Sequence, residues 1–432
     1  MGKLPRVKDT TMRPLGRKPT GDAKGKNTFL VGVFFLCLLS HCHDCDGGEF
    51  SISPSLTLRE EYDDNIFLTK NDKVNDFVTR ITPSVNLTYR TPIWDLILHE
   101  KFEWWYYAKE HDSQNSNDAN LSSKLTVIKN LLYFDVTDTY SNVVLNPRGP
   151  STPNNLTVNK TDSNTLNANP YMKYQLDPAT AVLAGYTYTN IWYRSSDGIN
   201  RQQHKGNLTL EHLFSEKLRT LLWVEYVADR PEREEPNNDQ AAVIASAVYA
   251  VDPRTKIDGT AGYRWIRFSG GQDHNEPVYN GGVAYQFAEN GQVELRASQL
   301  VSTSPTDGVV ENAEQKVAVN YGKSLAVNAT VYHRRNNYIE IGQTDKATGV
   351  EAGLAYMPNP RTAYRISGRY EKDRYLPQDN SRDIYGASAR AEYKLAEKTV
   401  VSLTYDYNRS TGQVETDNYT DNIIGLQLRI EL

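Results

Sequence analysis

Asp421 to Leu432 reads D-N-I-I-G-L-Q-L-R-I-E-L. From Ile424 onward every second residue is a large aliphatic: Ile424, Leu426, Leu428, Ile430 and Leu432. Gly425, Gln427, Arg429 and Glu431 stand between them. A period of two is the signature of a β-strand with one apolar and one polar face. Two settings accept such a strand: the edge of a soluble β-sandwich and the lipid-facing wall of a barrel. The sustained aliphatic face, ending on an apolar residue, favours the barrel.

The same pattern recurs along the chain from about residue 50, roughly every 19 residues, the spacing of a strand plus its connection. Gly206, Leu208, Leu210, His212 and Phe214 alternate with Lys205, Asn207, Thr209, Glu211 and Leu213, and Leu325, Val327, Ala329 and Val331 alternate with Ala326, Asn328 and Thr330. Tyr385, Ala387, Ala389, Ala391, Tyr393 and Leu395 do the same, followed by Val401, Leu403, Tyr405 and Tyr407. Each segment has about the length at which a tilted strand crosses a bilayer. The breaks between segments come in two kinds, which alternate. Short ones, such as Asp177-Pro178-Ala179, Asp252-Pro253-Arg254 and Asn359-Pro360-Arg361, use the residues that tight turns favour. Longer polar ones are expected at His111–Asp118, Asn146–Asp162, Asp229–Asp239, Ser269–Glu276, Ser302–Glu311 and Ser410–Asn418. The segment Leu121–Leu145 is the hardest to divide, because Lys129-Asn130 is a weak breaker. The expectation is a transmembrane antiparallel up-and-down β-barrel of about 20 strands (18–22), with short periplasmic turns and longer extracellular loops. No helical domain, plug or linker is evident.

Aromatic residues flank the short turns: Tyr89, Trp94, Tyr174, Phe214, Tyr249, Tyr285, Phe287, Tyr321, Tyr356, Tyr364 and Tyr393. That is the placement of a periplasmic girdle. Phe102, Trp104 and Tyr106 are expected in the outer girdle. Trp105 and Tyr107, in the opposite phase, are expected to line the mouth. The 28 Tyr against 11 Phe fit this reading, since tyrosine carries an apolar ring and a polar tip.

The chain has 432 residues, and a mean hydropathy of −0.61 excludes a bundle of transmembrane helices. Its one strongly apolar run is Phe29–Leu39, preceded by Lys3, Arg6, Lys8, Arg13, Arg17, Lys18, Lys24 and Lys26. A basic stretch and then a short apolar core is a secretory signal peptide. Residues 1–48 are therefore assigned to a signal peptide and leader, and residues 49–432 to one barrel domain. Cys37, Cys42 and Cys45 all lie in the leader. A cysteine-free exported domain suits a barrel, which needs no disulfides. The net charge is −5, without a basic stripe, so nucleic acid is not an expected partner.

Two resemblances add to this. The C-terminal stretch resembles the insertion signal of outer-membrane barrels, with Gly425, Leu428 and Ile430 in the matching positions and the apolar Leu432 as the terminal residue. It departs from that signal at Ile423, where a polar residue is usual, and at Leu432, where Phe is commonest. The opening Ser53–Leu68, with its E-Y-D-D-N-I-F stretch from Glu61 to Phe67, resembles the N-terminal strand of the outer-membrane β-barrels associated with the PEP-CTERM protein-sorting and exopolysaccharide system. Asp76–Pro83 resembles their second strand, and Leu131–Val136 and Asn146–Pro150 are similar in style. The resemblance implies location in the bacterial outer membrane and barrel architecture. It implies no catalytic residue and leaves the transported molecule open.

The sequence offers no catalytic constellation. Its eight histidines are scattered, and no nucleophile-elbow, zinc-protease or phosphate-loop pattern occurs. No enzyme activity, cofactor or metal is expected, and the Asp/Asn-rich segments His111–Asp118 and Asn237–Asp239 read as solvated loop tips. The polar phase of the late strands is the better lead. Arg365, Arg369, Glu371, Arg390, Glu392, Lys394, Asp406, Arg429 and Glu431 should line a hydrated lumen. The expected function is a porin-like channel for hydrophilic solutes, with a link to exopolysaccharide export. The alternative is a structural barrel whose loops bind surface polymer or a partner. Expected partners are outer-membrane lipid, the barrel-assembly machinery, and polysaccharide or export-complex proteins.

Overall fold

The computed structural model describes residues 48–232 and 235–432. The expected signal peptide and the three cysteines lie outside them. The described chain is a closed sheet of 20 antiparallel strands. The first five are β1 (Glu49–Asp63), β2 (Asp76–Arg90), β3 (Trp94–Tyr107), β4 (Asp112–Ile128) and β5 (Leu132–Val144). Then come β6 (Lys160–Asp177), β7 (Thr180–Tyr193), β8 (Arg201–Ser215), β9 (Leu218–Pro231) and β10 (Asn238–Asp252). The second half holds β11 (Thr255–Phe268), β12 (His274–Ala288), β13 (Gly291–Ser304), β14 (Gly308–Gly322) and β15 (Leu325–Tyr338). Last are β16 (Gln343–Asn359), β17 (Thr362–Leu376), β18 (Asn380–Ala396), β19 (Thr399–Gly412) and β20 (Tyr419–Glu431). Each strand pairs with the next, and β20 returns to β1 from Ser55–Glu431 to Asp63–Ile423. Closure leaves the sheet without an edge, which is what lipid demands of a spanning sheet.

The period of two maps onto two faces as the sequence indicates. On β19, Leu403 and Tyr405 are exposed while Ser402 and Thr404 are buried. On β20, Ile424 and Leu426 are exposed while Ile423 and Gly425 are buried. A closed sheet that turns its aliphatic side outward presents an apolar belt to its surroundings, the inverse of a water-soluble fold. The interior is polar: Glu61, Asp63, Arg80, Gln240 and Arg382 are all buried.

The short turns repeat one device. Asp177, Asp252 and Asn359 each precede a proline, and each accepts a hydrogen bond from the backbone N–H two residues on, at 2.7, 2.7 and 2.9 Å. Proline presets one dihedral, and the carboxylate or amide oxygen supplies the acceptor that tightens the turn. The difficult break at Lys129-Asn130 is a turn in which Asn130 takes a left-handed φ of 62°, a conformation asparagine tolerates better than most residues.

Several boundaries differ from expectation. Asp112–Asp118 is strand, not loop, paired with β3 from Tyr107 to Lys101. Likewise β13 runs to Ser304 and β14 begins at Gly308, so the expected loop Ser302–Glu311 shrinks to its tip. The strands outrun the lipid thickness, and polar residues continue their ladders. In the other direction, β1 stops at Asp63, so the stretch to Leu68 is loop. Asn65 explains the stop: its N–H bonds Asp63, and its side chain bridges Thr69 and the Thr420 carbonyl. In the short-turn girdle Tyr89 is nearly buried, edge-on to Trp94 at 5.4 Å.

The facing yields a prediction. Leu403→Arg should destabilise the barrel by up to about 2–4 kcal/mol, read as a lower urea midpoint for loss of the heat-modifiable gel band. Removing Ile423 to Leu432 should abolish that band, because β1 and β19 would be left as open edges. Normal stability of the first variant would reverse the facing; a normal band in the second would refute closure through β20.

Candidate functional site

The wall is interrupted in one half of the barrel. The β4–β5 ladder stops at Ala119–Tyr140, although both strands continue past that point. Beyond it Asp112–Asp118 pairs only with β3, and Ser141–Val144 only with β6. The β5–β6 hairpin thus parts from β4 while β6 stays laddered to β7 up to Ser163–Tyr193, and its loop, between Val144 and Lys160, crosses the lumen.

The loop's contacts run along the far wall. Arg148 forks onto Asp345 of β16, with Nη2 and Nε at 2.7 and 3.1 Å, and also donates to Gln343. Its guanidinium lies 5.2 Å from the Tyr338 ring and 5.7 Å from the Tyr375 ring. Arg382 of β18 donates to the Arg148 carbonyl at 2.8 Å and is held by Asp373 at 2.8 Å. Tyr419 of β20 donates to the Ser151 carbonyl at 3.1 Å, and Asn154 donates to Asp406 of β19 at 3.0 Å. Asn155 donates to the Ile66 carbonyl at 2.7 Å and accepts from the Thr157 and Val158 N–H groups. One loop is therefore fixed to β16, β18, β19, β20 and the β1–β2 loop.

Its return limb lies on an apolar floor. Ile66, Val78, Trp105 and Tyr107 form a buried cluster against which Leu156 and Val74 pack. Trp105 and Tyr107, expected at the mouth, are 3% and 4% exposed because the loop covers them. The Arg80 guanidinium stacks 3.3 Å from the Trp105 ring centre and pairs with Glu61, which also pairs with Arg59 at 2.8 Å. Guanidinium on indole keeps the charge in place where water is scarce.

The sequence-derived lumen residues fall into separate groups. Arg365 and Arg390 converge on Glu392, with Arg390 Nε at 2.9 Å, and Arg390 also donates to Ser402. Glu371 instead accepts from Tyr332 at 2.6 Å and pairs with Arg334. Among the described residues Arg369 and Lys394 form no ion pair. Arg369 lies across from Gly386, where a Cβ would come within 2.8 Å of its Nε. Arg429 and Glu431 pair with each other at 2.8 Å near the short-turn end, away from the loop. Asp406 stands between Arg59, at 3.8 Å, and Asn154. The sequence reading missed Arg59, Glu61, Arg80, Arg148, Asp345, Asp373 and Arg382. Arg59 and Glu61 share the polar phase of β1, so their side was legible; Arg148 sits in a loop and gave no signal.

A second contact spans the rim. Ile199, in the β7–β8 loop, donates its N–H to the Pro305 carbonyl in the β13–β14 loop at 2.8 Å. In the β15–β16 loop Glu340 accepts from the Val309 N–H at 2.9 Å. Burial, and then a hydrogen bond shared with Glu235, push its carboxyl up to about 7.

No family model and no curated protein matches the chain. Solved structures do. The FrpB iron transporter of Neisseria meningitidis, F5-1 variant, aligns with a TM-score of 0.50 at 8% identity, over 88% of this chain and 82% of that one. A mutant of the ferric enterobactin receptor PfeA of Pseudomonas aeruginosa aligns with a TM-score of 0.50 at 8% identity, over 88% and 80%. A loop-deletion mutant of OmpT, an outer membrane protein of Vibrio cholerae, is 15% identical over 90% and 100%, with a TM-score of 0.37. At such identities the likeness is one of fold: this chain is a barrel of the bacterial outer-membrane type.

The Arg148–Asp345 fork gives a testable consequence. Asp345→Ala removes two charge-assisted hydrogen bonds, roughly 1.5–3 kcal/mol of loop docking. Trypsin added from the loop side should then cut after Arg148 roughly ten- to hundredfold faster than in the native barrel. Equal rates would mean that the fork does not hold the loop.

Proposed function

We propose that the protein is an outer-membrane channel of porin type, in which the β5–β6 loop forms the constriction and charged side chains form its wall. The observation that carries this reading is the loop itself, fixed inside the lumen by side chains of the opposite wall. A purely structural barrel would have no need to hold a polar loop there. Barrels of about 16–18 strands leave an aqueous channel, and 22-stranded ones hold a plug. At 20 strands, this one narrows its lumen with a loop of its own wall.

The lining favours hydrophilic solutes. Arg365, Arg390 and Glu392 neutralise one another in part, whereas among the described residues Arg369 and Lys394 form no ion pair. Excess positive charge in a low-dielectric channel draws anions and repels cations. A link to exopolysaccharide export rests on the resemblance of the N-terminal strands, and with it the expectation of polysaccharide or export-complex partners. The reading includes no catalytic step: outward-facing His212 and His333 bond Thr180 and Thr348, each at 2.9 Å, an anchoring arrangement for ring nitrogens near an interface.

Single-channel recording in planar bilayers tests the proposal. The intact barrel should conduct in discrete steps, and replacing Pro147–Val158 by a short Gly-Ser link should raise the conductance severalfold. Arg369→Glu should move the reversal potential toward cation selectivity. Arg390→Glu is a poorer probe, since it places two carboxylates side by side. Folded barrels that do not conduct with or without the loop would sink the channel reading.

A further inference from the structure

The β12–β13 ladder stops as the β4–β5 ladder does. Its last pair on the long-loop side is Tyr279–Gln299, yet β12 begins at His274 and β13 runs on to Ser304. Above that pair β12 bonds only β11, and β13 bonds only β14. Pro277 marks the split: it has no N–H to give to a ladder, and its carbonyl takes a hydrogen bond from the Gln299 side chain at 3.1 Å instead.

Three side chains meet at this split. His274 and Glu276 come from β12, and Glu311 comes from β14. One nitrogen and two carboxylate oxygens, one from each residue, all lie within 4.8 Å of one another. Glu276 is 3% exposed, and neither of its carboxylate oxygens has a hydrogen-bond donor. His274 Nε2 is also buried and without a hydrogen bond, 3.6 Å from Glu276 Oε2. Arg264, the cation opposite Glu276 on β11, is engaged elsewhere: it donates to Glu225 at 2.5 Å and to Gln240 at 2.6 Å. Glu311 is the one satisfied member, accepting from Arg335 at 3.1 Å and Asn337 at 3.2 Å. A buried carboxylate with no donor on either oxygen is costly. A cation placed between it and an unoccupied imidazole nitrogen removes that cost.

We propose that His274, Glu276 and Glu311 bind a first-row divalent metal ion across the split between β12 and the β13–β14 hairpin. One imidazole and two carboxylates suit zinc, manganese or ferrous iron better than calcium, which prefers an all-oxygen shell. Ligand bonds of about 2.0–2.2 Å place neighbouring donor atoms some 3–4 Å apart, and the His274–Glu276 separation falls in that range. The remaining positions would be filled by water, since His274 is one-third exposed and open to the lumen side. The ion ties β12 to β14, which carries β13 with it through the Val301–Glu311 ladder, so its effect is local closure of the wall.

Zinc alone is the probe, added to chelator-treated barrel in micelles and followed by titration calorimetry. The native protein should bind one ion per chain saturably. His274→Gln and Glu276→Gln should each weaken binding by at least about tenfold, while His333→Gln, on the outer face, should not change it. Hydrogen exchange at Glu276–Gln299 and Ser302–Glu311 should slow on zinc addition in the native barrel only. Fold is checked by the heat-modifiable gel band. If Glu276→Gln fails that check, His274→Gln, one-third exposed at a strand start, carries the test. Absence of saturable binding, or equal binding by His274→Gln and native protein, would overturn the proposal.

Discussion

Lipid offers no hydrogen bonds, and that constraint governs this molecule. Every backbone group of the membrane-crossing wall must find its partner in a neighbouring strand. The closure of β20 onto β1, from Ser55–Glu431 to Asp63–Ile423, is therefore the contact on which the rest depends. Around it the ladders run the length of the wall with short gaps at two prolines, Pro83 between β2 and β3 and Pro170 between β6 and β7. Two ladders end early toward the long loops, at Ala119–Tyr140 and Tyr279–Gln299. There water or side chains can satisfy what the ladder leaves open.

Those two interruptions are where the barrel acquires features beyond a plain cylinder. At the first, β5 parts from β4 and the β5–β6 loop reaches the far wall. At the second, a histidine and two glutamates gather beside a strand pair that a proline keeps apart. In both places a lost run of backbone hydrogen bonds is offset by side-chain chemistry. At the first the offset is visible: Arg148 forks onto Asp345, Arg382 caps two loop carbonyls, and Leu156 closes an apolar cluster.

The strands were legible because the two-residue period survives wherever lipid meets the wall. Leu403 against Ser402, or Ile424 against Ile423, can be placed by counting. The loops were legible in order but not in length, because the ladders continue past the apolar belt on polar residues such as Asp112–Asp118. The inward loop was hidden. Asn146-Pro147-Arg148-Gly149-Pro150 has the composition of any solvated turn, and its partners lie far along the chain, 197 residues away for Asp345 and 268 from Ser151 to Tyr419. Trp105 and Tyr107 were placed on the correct side of the wall. Their burial depends on Leu156 and Ile66, which no local pattern connects to them. The charged wall was half visible, since the phase gives the side but not the pairing that separates Glu371 from Glu392.

The central claim is that the β5–β6 loop lies inside the barrel, and chemical cross-linking tests it most directly. The measurement uses a chain in which Cys37, Cys42 and Cys45 are replaced by Ser and which carries Asn154→Cys together with Asp406→Cys. A short bifunctional thiol reagent is applied to the folded barrel in vesicles. The account predicts near-complete intramolecular cross-linking, and protection of Asn154→Cys alone from a bulky membrane-impermeant maleimide that labels Asp379→Cys on the rim. Labelling of Asn154→Cys as fast as Asp379→Cys, without cross-link to β19, would place the loop outside and contradict the account.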